Sequence, residues 1–423
     1  MGMSAFFAFD AIASSKPSKE KIAVQNLGTL FISCSLNKTL FMLKIGFDAK
    51  RLFNNFTGLG NYSRTLLDNL NHYFPGNEYH LYTPKIKLNR RTQPYLNQSN
   101  VKVHQPNLSI LKHLWRTSGM ISQWKNDGIQ LYHGLSHELP VGVQKAAPKS
   151  IVTIHDLVLK HYPDFFPWID RQIYDWKFKY ACDHADMIIA ISESTKKDIV
   201  RFYNIEESKI KVIYQTCHAI FRKEAENFAD QESREKDHKI EDKFQLPQDY
   251  LLYVGSIIPR KNLMGCIKAL ENLPASLKLP LLIVGNGKKY KKKIQQYVSQ
   301  KGLEKEVVFC PSLNLKELRT VYQKAKILLY PSFYEGFGLP IIEALYSETP
   351  VITSEVSSLP EAGGEGAYYV NPNNFEEIGI GIEKLLTDDD FYNEKRRKGI
   401  EHVKKFHPQK VTTELMDIYK RLL

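Results

Sequence analysis

Short apolar, β-branched runs recur along this chain, and a polar or helix-like stretch follows each of them. In the first half they read "LKIGFDA", "EYHLYT", "VKVHQ", "IQLYHG", "SIVTIHD", "MIIAIS" and "KIKVIY". In the second half they read "YLLYVGS", "LPLLIVGNG", "VVFCPS", "ILLYPS" and "PVITSE". Many are nearly continuous rather than alternating, as strands covered on both faces must be. Strands that alternate with helices imply parallel sheets with helices on both sides. Twelve such runs overfill one sheet with a single core, so the pattern predicts two sheets facing each other across a cleft. From Arg222 to Lys243 the chain is almost wholly polar, and a new strand opens at Tyr250. The expected organisation is an extension over 1–41, a first α/β domain over 42–221, a linker over 222–249, a second α/β domain over 250–405 and an amphipathic helix over 406–423.

Charged and small residues gather where the apolar runs end, among them Asp48, His133, His155, Ser192, Gly255, Gly285 and Pro331. In open parallel sheets the carboxyl ends of the strands form the ligand crevice. The net charge of +12 suits an anionic partner: nucleic acid, anionic lipid or a phosphorylated small molecule. The sequence shows no nucleic-acid module spacing and no zinc-like Cys/His array. Its five cysteines, Cys34, Cys182, Cys217, Cys266 and Cys310, are few and far apart, which argues against a disulfide framework and for a reducing compartment. No stretch reaches the apolar length of a transmembrane helix. Near the amino end, "AFFAF" is too short for a signal core and "KPSKEK" follows it, whereas Met42 directly precedes the first strand. Residues 1–41 are therefore expected to be a poorly ordered extension ahead of an alternative start.

The densest chemistry lies in "PSFYEGFGLPIIEAL", residues 331–345. A strand, "KILLYPS", leads into it, and a helix is expected from near Leu339, with Pro340 suited to the first turn. Gly336 and Gly338 let the backbone come close to a ligand. The helix amino end offers unpaired N–H groups and partial positive charge, a seat for phosphate. Glu335 precedes the helix and Glu343 lies about a turn and a half into it. Carboxylates accept hydrogen bonds from sugar hydroxyls, so one acid can hold a hexose and the other a ribose, with a diphosphate between them. Taken singly, the two acids equally fit a helix whose charges offset its dipole.

The whole string resembles the signature of retaining glycosyltransferase family four, in which two acids bracket a "GFGLP" turn. Here these are Glu335, then Gly336-Phe337-Gly338-Leu339-Pro340, then Glu343, and "TPVITSEVSSLPEAGGEGAYYVNPNN" beyond them is similar too. The resemblance is strong over 250–375 and looser over the rest of 42–420. It implies an α/β chain of GT-B fold, two Rossmann-like domains facing across a cleft, with the donor held by the second domain and the acceptor by the first. The implied reaction moves a hexosyl unit from a nucleoside diphosphate sugar with retained configuration. Glu335 is then a catalytic residue, and Gly336, Phe337, Gly338, Leu339 and Glu343 bind the donor. In "YVGSIIPRKN" the resemblance gives Arg260 and Lys261 to the diphosphate, whose charge grows as the glycosidic bond breaks; a solvent-facing basic pair is the alternative. Ser256 departs from the pattern, since many members have an arginine there. Gly58 and Gly60 in "FTGLGNYSRTLL" are similar to the family's glycine-rich loop, and Gly285 and Gly287 in "GNGKKYKKKI" to a turn lining the nucleotide pocket. His155 in "VTIHDL" matches a family histidine near the transferred sugar, which counts it with Glu335, Arg260 and Lys261 as catalytic, hydrogen-bonding a sugar hydroxyl or positioning the acceptor; a structural strand-end histidine is the alternative, with Asp156 orienting it or capping the next turn. The lysines after Gly287 read as a solvated helix face or a seat on an anionic membrane. Ser192 in "SESTKKDI" reads as a helix cap.

Two aromatic-rich stretches, "HYPDFFPWIDRQIYDWKF" and "LKHLWRTSGMISQW", are expected mainly in the core, with a few exposed rings receiving a glycan or lipid-linked acceptor. The resemblance implies no cofactor and no metal, because the chain carries its own cations for the diphosphate. It also implies front-face attack, and the sequence nominates no enzymic nucleophile. The "IIPRKN" branch is associated with mannosyl transfer, which points to GDP-mannose. The expected partners are a nucleotide-sugar donor, a glycan or lipid-linked acceptor and, peripherally, the anionic inner face of a membrane seen from the cytoplasm; nucleic acid is not among them. Two alternatives stay open: a sugar-nucleotide epimerase on the same fold, and a non-catalytic sugar-nucleotide-binding partner.

Overall fold

The computed structural model describes residues 42–106, 115–146, 148–222 and 246–423. The expected extension and most of the expected linker lie outside the described residues. The first sheet holds β1 (Lys44–Asp48), β2 (Glu78–Tyr82), β3 (Val101–His104), β4 (Leu131–Gly134), β5 (Lys149–Ile154), β6 (Met187–Ala190) and β7 (Ile210–Val212), in the order β3-β2-β1-β4-β5-β6-β7. The second holds β8 (Leu251–Val254), β9 (Leu281–Val284), β10 (Val307–Cys310), β11 (Ile327–Tyr330), β12 (Val351–Ser354) and β13 (Ala367–Val370), in the order β10-β9-β8-β11-β12-β13. Every neighbouring pair is parallel. Both orders run outward, then reverse beside the first strand of the sheet, the doubly wound arrangement that opens a crevice at the carboxyl ends.

The apolar runs become strands because parallel strands under helices bury both faces. Leu251 to Val254 and Ile327 to Tyr330 are buried at every position. The sequence pattern misses β13, a four-residue strand that starts directly after Gly364-Glu365-Gly366 and is half-buried at its two tyrosines, too short and too mixed to stand out. The helix Pro408–Leu422 crosses back to the first sheet. Its Val411, Leu415, Met416 and Tyr419 are buried with Ile45, Phe47 and Leu131 in one core, and the Tyr419 hydroxyl lies 2.6 Å from His133 Nδ1. The aromatic stretches divide differently from expectation. Trp115 and Trp124 are buried, whereas Phe165, Trp168, Ile169, Ile173, Tyr174 and Trp176 are exposed on and before the helix Trp168–His184. Among the described residues, Cys182, Cys217, Cys266 and Cys310 are buried free thiols, and no helix is long and apolar enough to cross a membrane.

Candidate active site

The turn Phe333–Gly338 leaves the carboxyl end of β11 and is held from both sides. On its own side, Ser358 Oγ lies 2.8 Å from the Glu335 carbonyl and 2.9 Å from the Phe337 carbonyl, and the Ser357 hydroxyl accepts the Glu335 N–H at 3.0 Å. Gly338 takes φ +125°, a conformation that favours glycine, and the helix Leu339–Tyr346 starts directly after it with Pro340 in its first turn. On the other side, the first domain grips the same turn. Ser192 donates to the Gly336 carbonyl at 2.9 Å, Tyr162 to the Phe333 carbonyl at 3.2 Å, and Tyr334 donates back to Asp198 at 2.7 Å. Ser192 also caps the helix Glu193–Tyr203, as its sequence context suggests. The second domain adds to that cap, because Glu361 accepts the N–H groups of Glu193 at 2.7 Å and Ser194 at 2.8 Å. A carboxylate at a helix amino end is the favourable sign for the dipole.

Arg260 and Lys261 sit in a short 3-10 turn, Pro259–Lys261, after β8. They do not face solvent as an idle basic pair. Both reach Glu335: Arg260 Nη1 is 3.1 Å from Oε2 and Lys261 Nζ is 2.6 Å from Oε1. Arg260 also donates to the Tyr334 carbonyl and Lys261 to the Tyr330 hydroxyl, over whose ring its ammonium lies at 4.7 Å. Burial pushes the Glu335 carboxyl up, and the Lys261 and Arg260 charges more than reverse this, holding it below the usual carboxylate range. Burial lowers the Lys261 pKa, and Glu335 only partly offsets it.

Glu343, one helix turn and more beyond, is in a different state. Its carboxylate accepts from Tyr322 at 2.9 Å, yet burial pushes its pKa up to about 7. With Leu339 it lines a cavity of about 220 Å³, where Asn61, Arg64, Asp68 and Arg91 face it from the first domain. The structure thus puts the two acids of the signature to different uses, one locked between cations and one poised near neutrality on a cavity wall.

The remaining predicted residues are placed as follows. His155 is buried at the end of β5; Leu135 C=O lies 2.9 Å from its Nε2 and the Gln215 amide 3.0 Å from its Nδ1, and burial pushes its pKa down to about 3. The imidazole is neutral, with both nitrogens engaged. Asp156 caps the next turn by accepting the Val158 N–H at 3.2 Å. A Cβ at Gly336 would stand 2.0 Å from the His155 carbonyl, so that glycine serves the contact between the domains. Gly60 lies in the first turn of the helix Gly58–Tyr73, where a Cβ would meet the Asn55 carbonyl at 1.8 Å; at Gly58 the space is open. Gly285 and Gly287 pack the loop after β9 on the backbone of Gly255 and Ile257. Phe337 is buried between Tyr214 and Phe406, with ring centroids at 5.7 and 5.3 Å. Lys288, Lys289, Lys292 and Lys293 are exposed, a solvated face at the start of the helix Lys289–Gln300. Sequence reasoning passed over Ser357, Ser358, Glu361 and the cavity residues Arg64, Asp68 and Arg91, although Ser357, Ser358, Glu361 and Arg64 stand in stretches that resemble the family.

Comparison with known proteins agrees with this fold. Residues 233–406 match the family model "Glycosyl transferases group 1", and residues 56–216 match "Glycosyltransferase Family 4". The O-antigen chain mannosyltransferase B of Escherichia coli is 29% identical over 297 residues, covering 69% of this chain and 74% of that protein. The O-antigen chain mannosyltransferase RfbU of Salmonella typhimurium is 33% identical over 237 residues, covering 55% of this chain and 60% of that protein. Among solved structures, sucrose-phosphate synthase from Thermosynechococcus elongatus superposes with a TM-score of 0.70 at 20% identity, covering 90% of this chain and 99% of that one. The two doubly wound parallel sheets, with the solved structures they superpose on, show the GT-B fold of two Rossmann-like domains. The chain belongs to glycosyltransferase family four, whose two characteristic regions fall on its two domains.

Proposed function

We propose that this glycosyltransferase moves a hexosyl unit, mannosyl from GDP-mannose in the first instance, onto a glycan or lipid-linked acceptor with retention of configuration. The observation that carries the reading is Glu335 shared between Arg260 and Lys261. Arg260 and Lys261 are cations whose natural counter-charge is a diphosphate, and the Glu335 carboxylate stands between them. When the donor enters, the phosphates take over the cations and Glu335 is released to accept hydrogen bonds from the sugar. The bond from the anomeric carbon to the phosphate oxygen then breaks, the acceptor oxygen attacks from the same face, and its proton passes to the leaving phosphate. Arg260 and Lys261 stabilise the charge gathering there. Glu343 is assigned to the ribose. His155, neutral and fixed at both nitrogens, positions the wall of the site rather than exchanging protons. The names of the mannosyltransferase relatives support the choice of sugar and a place in polysaccharide assembly.

The exposed rings of the helix Trp168–His184 support an acceptor with an apolar portion. Trp176, Lys177 and Tyr180 line a small cavity of about 40 Å³ with Asp48, Arg116 and Glu138. Tryptophan beside lysine suits a peripheral seat on an anionic membrane. The test is incubation with GDP-mannose and UDP-glucose, each with a panel of glycan and lipid-linked acceptors, read by NMR of the product's anomeric centre. Transfer from GDP-mannose with retained configuration is expected. Binding without turnover for every pair, or an inverted product, overturns the reading.

A further inference from the structure

A second cluster of reactive side chains sits at the β3 edge of the first sheet and shares no residue with the candidate active site. His80 lies on β2, His104 ends β3, and Asp127 ends the helix Ile121–Asp127. With Glu78 they form a row. Glu78 Oε1 is 2.5 Å from His80 Nε2, His80 Nδ1 is 2.9 Å from His104 Nε2, and His104 Nδ1 is 3.6 Å from Asp127 Oδ2. The two imidazole planes lie within 7° of parallel. Tyr82 donates to Asp127 at 2.6 Å, and Lys102 stands 2.9 Å from Glu78.

An ionised carboxylate only accepts, so His80 turns its Nε2–H to Glu78 and the lone pair of its Nδ1 toward His104. His104 Nε2 stands 2.9 Å from that lone pair: as the Nε2–H tautomer it donates to it, and as the Nδ1–H tautomer it brings a second lone pair to the same gap. The second arrangement, with both inner nitrogens free and both rings neutral, is the form in which histidine ligates a metal ion. Two ligand atoms on a tetrahedral ion with bonds of about 2.0–2.1 Å lie about 3.3–3.4 Å apart, so the inner nitrogens need to part by only about half an ångström. Asp127 offers a third ligand, and the three ligand atoms lie within 4.8 Å of one another. A carboxylate on the outer nitrogen, as Glu78 holds His80, is the partner that orients a metal-bound imidazole.

We propose that His80, His104 and Asp127 bind one divalent transition-metal ion of the zinc type, with the fourth position left to water. Its role is structural. It ties the edge strand β3 to β2 and to the carboxyl end of the helix before β4. The sequence gives no warning, because 24 and 23 residues separate the three side chains and no short ligand spacing results.

The experiment uses the untagged full chain stripped with chelator. Zinc binding is measured by equilibrium dialysis with elemental analysis, and cobalt substitution by visible absorption. One tight equivalent of zinc is expected, with a cobalt spectrum of tetrahedral intensity. His104→Gln should weaken binding at least a hundredfold, and Glu78→Gln, which removes no ligand, by about tenfold to a hundredfold. Circular dichroism checks folding; if His104→Gln does not fold, Glu78→Gln decides. No tight equivalent in the wild type, or unchanged affinity in the folded variants, overturns the site. Neither result bears on the transferase reading.

Discussion

Glu335→Gln replaces the shared carboxylate by a neutral amide of nearly the same shape. Arg260 and Lys261 then lose their counter-charge while their side chains are only 18% and 13% exposed. Removing one partner of a buried ion pair costs about 3–5 kcal/mol, and the partial exposure of both cations places this case near the lower end. For a cooperative unit of about 150–250 residues, each kcal/mol moves Tm by about 2–4 °C, so the ligand-free variant should unfold about 6–12 °C lower. Nucleoside diphosphate supplies the missing charge. The variant should therefore gain more Tm from GDP than the wild type does and bind it about tenfold more tightly, which returns about 1.4 kcal/mol of the loss. Turnover should nevertheless fall by about tenfold to a hundredfold, because a charge-assisted hydrogen bond to the sugar, worth about 1.5–3 kcal/mol, is gone. The pH dependence follows from the sign of the shift. The Glu335 pKa is lower folded than unfolded, so its stabilisation is complete above the unfolded carboxylate range, near about 4.3, and is lost as pH falls through the lower folded value. The Tm gap between wild type and variant should stay constant from about pH 6 to 8 and close in acid. Differential scanning calorimetry with and without GDP, titration calorimetry and steady-state kinetics test the set. A variant with wild-type Tm and no gain in GDP affinity would refute the exchange of carboxylate for diphosphate.

Three further perturbations probe the rest of the site. Because burial holds Glu343 at about 7, its ionised fraction rises about tenfold between pH 6 and 8; GDP affinity should rise with it in the wild type and much less in Glu343→Gln, and identical profiles would remove the ribose from this carboxylate. Gly336→Ala drives a Cβ to 2.0 Å from the His155 carbonyl, so the turn must lift from the first domain and kcat should drop at least a hundredfold with an unchanged circular dichroism spectrum; a folded variant with wild-type kcat would show that this contact is dispensable. Arg260→Ala and Lys261→Ala should each lower kcat more than they raise KM, and the double variant should be nearly inactive, since Ser256 offers no third cation; wild-type turnover in the folded double variant would refute transition-state stabilisation by this pair.

The two sheets are legible in the sequence because strands buried on both faces leave unbroken apolar runs, and Leu251–Val254 or Leu281–Val284 can hardly be read otherwise. The signature turn is legible because a glycine-proline helix start between two acids is improbable by chance. What each member does there is less visible. Gly336, Gly60, Gly285 and Gly287 look from sequence like room for a ligand, yet the atoms that crowd them belong to the chain's own backbone. A missing side chain records that something comes close, not what. Phe337 reads as part of the donor contact and is a core ring. Glu361 and Asp198 stand in quoted stretches of the sequence, but their partners across the domains, the N–H groups of Glu193 and Ser194 and the Tyr334 hydroxyl, exist only in the fold. The exposed aromatics of the helix Trp168–His184 escape for a similar reason, since ring-rich helices are usually buried and composition alone does not say which face is covered.

The helix Pro408–Leu422 gives the chain a particular biosynthetic schedule. Its Leu415, Met416 and Tyr419 complete the core beneath Ile45 and Phe47, but it leaves the ribosome about two hundred residues after β7. At about 5–20 residues per second, the nascent first domain waits roughly 10–40 s with that apolar face uncovered. The second domain is made during this interval and must fold without capturing the open surface. Ribosome-bound chains stalled before and after the last helix should differ sharply in protease resistance over 43–212, and chaperone occupancy should peak between the two stalls.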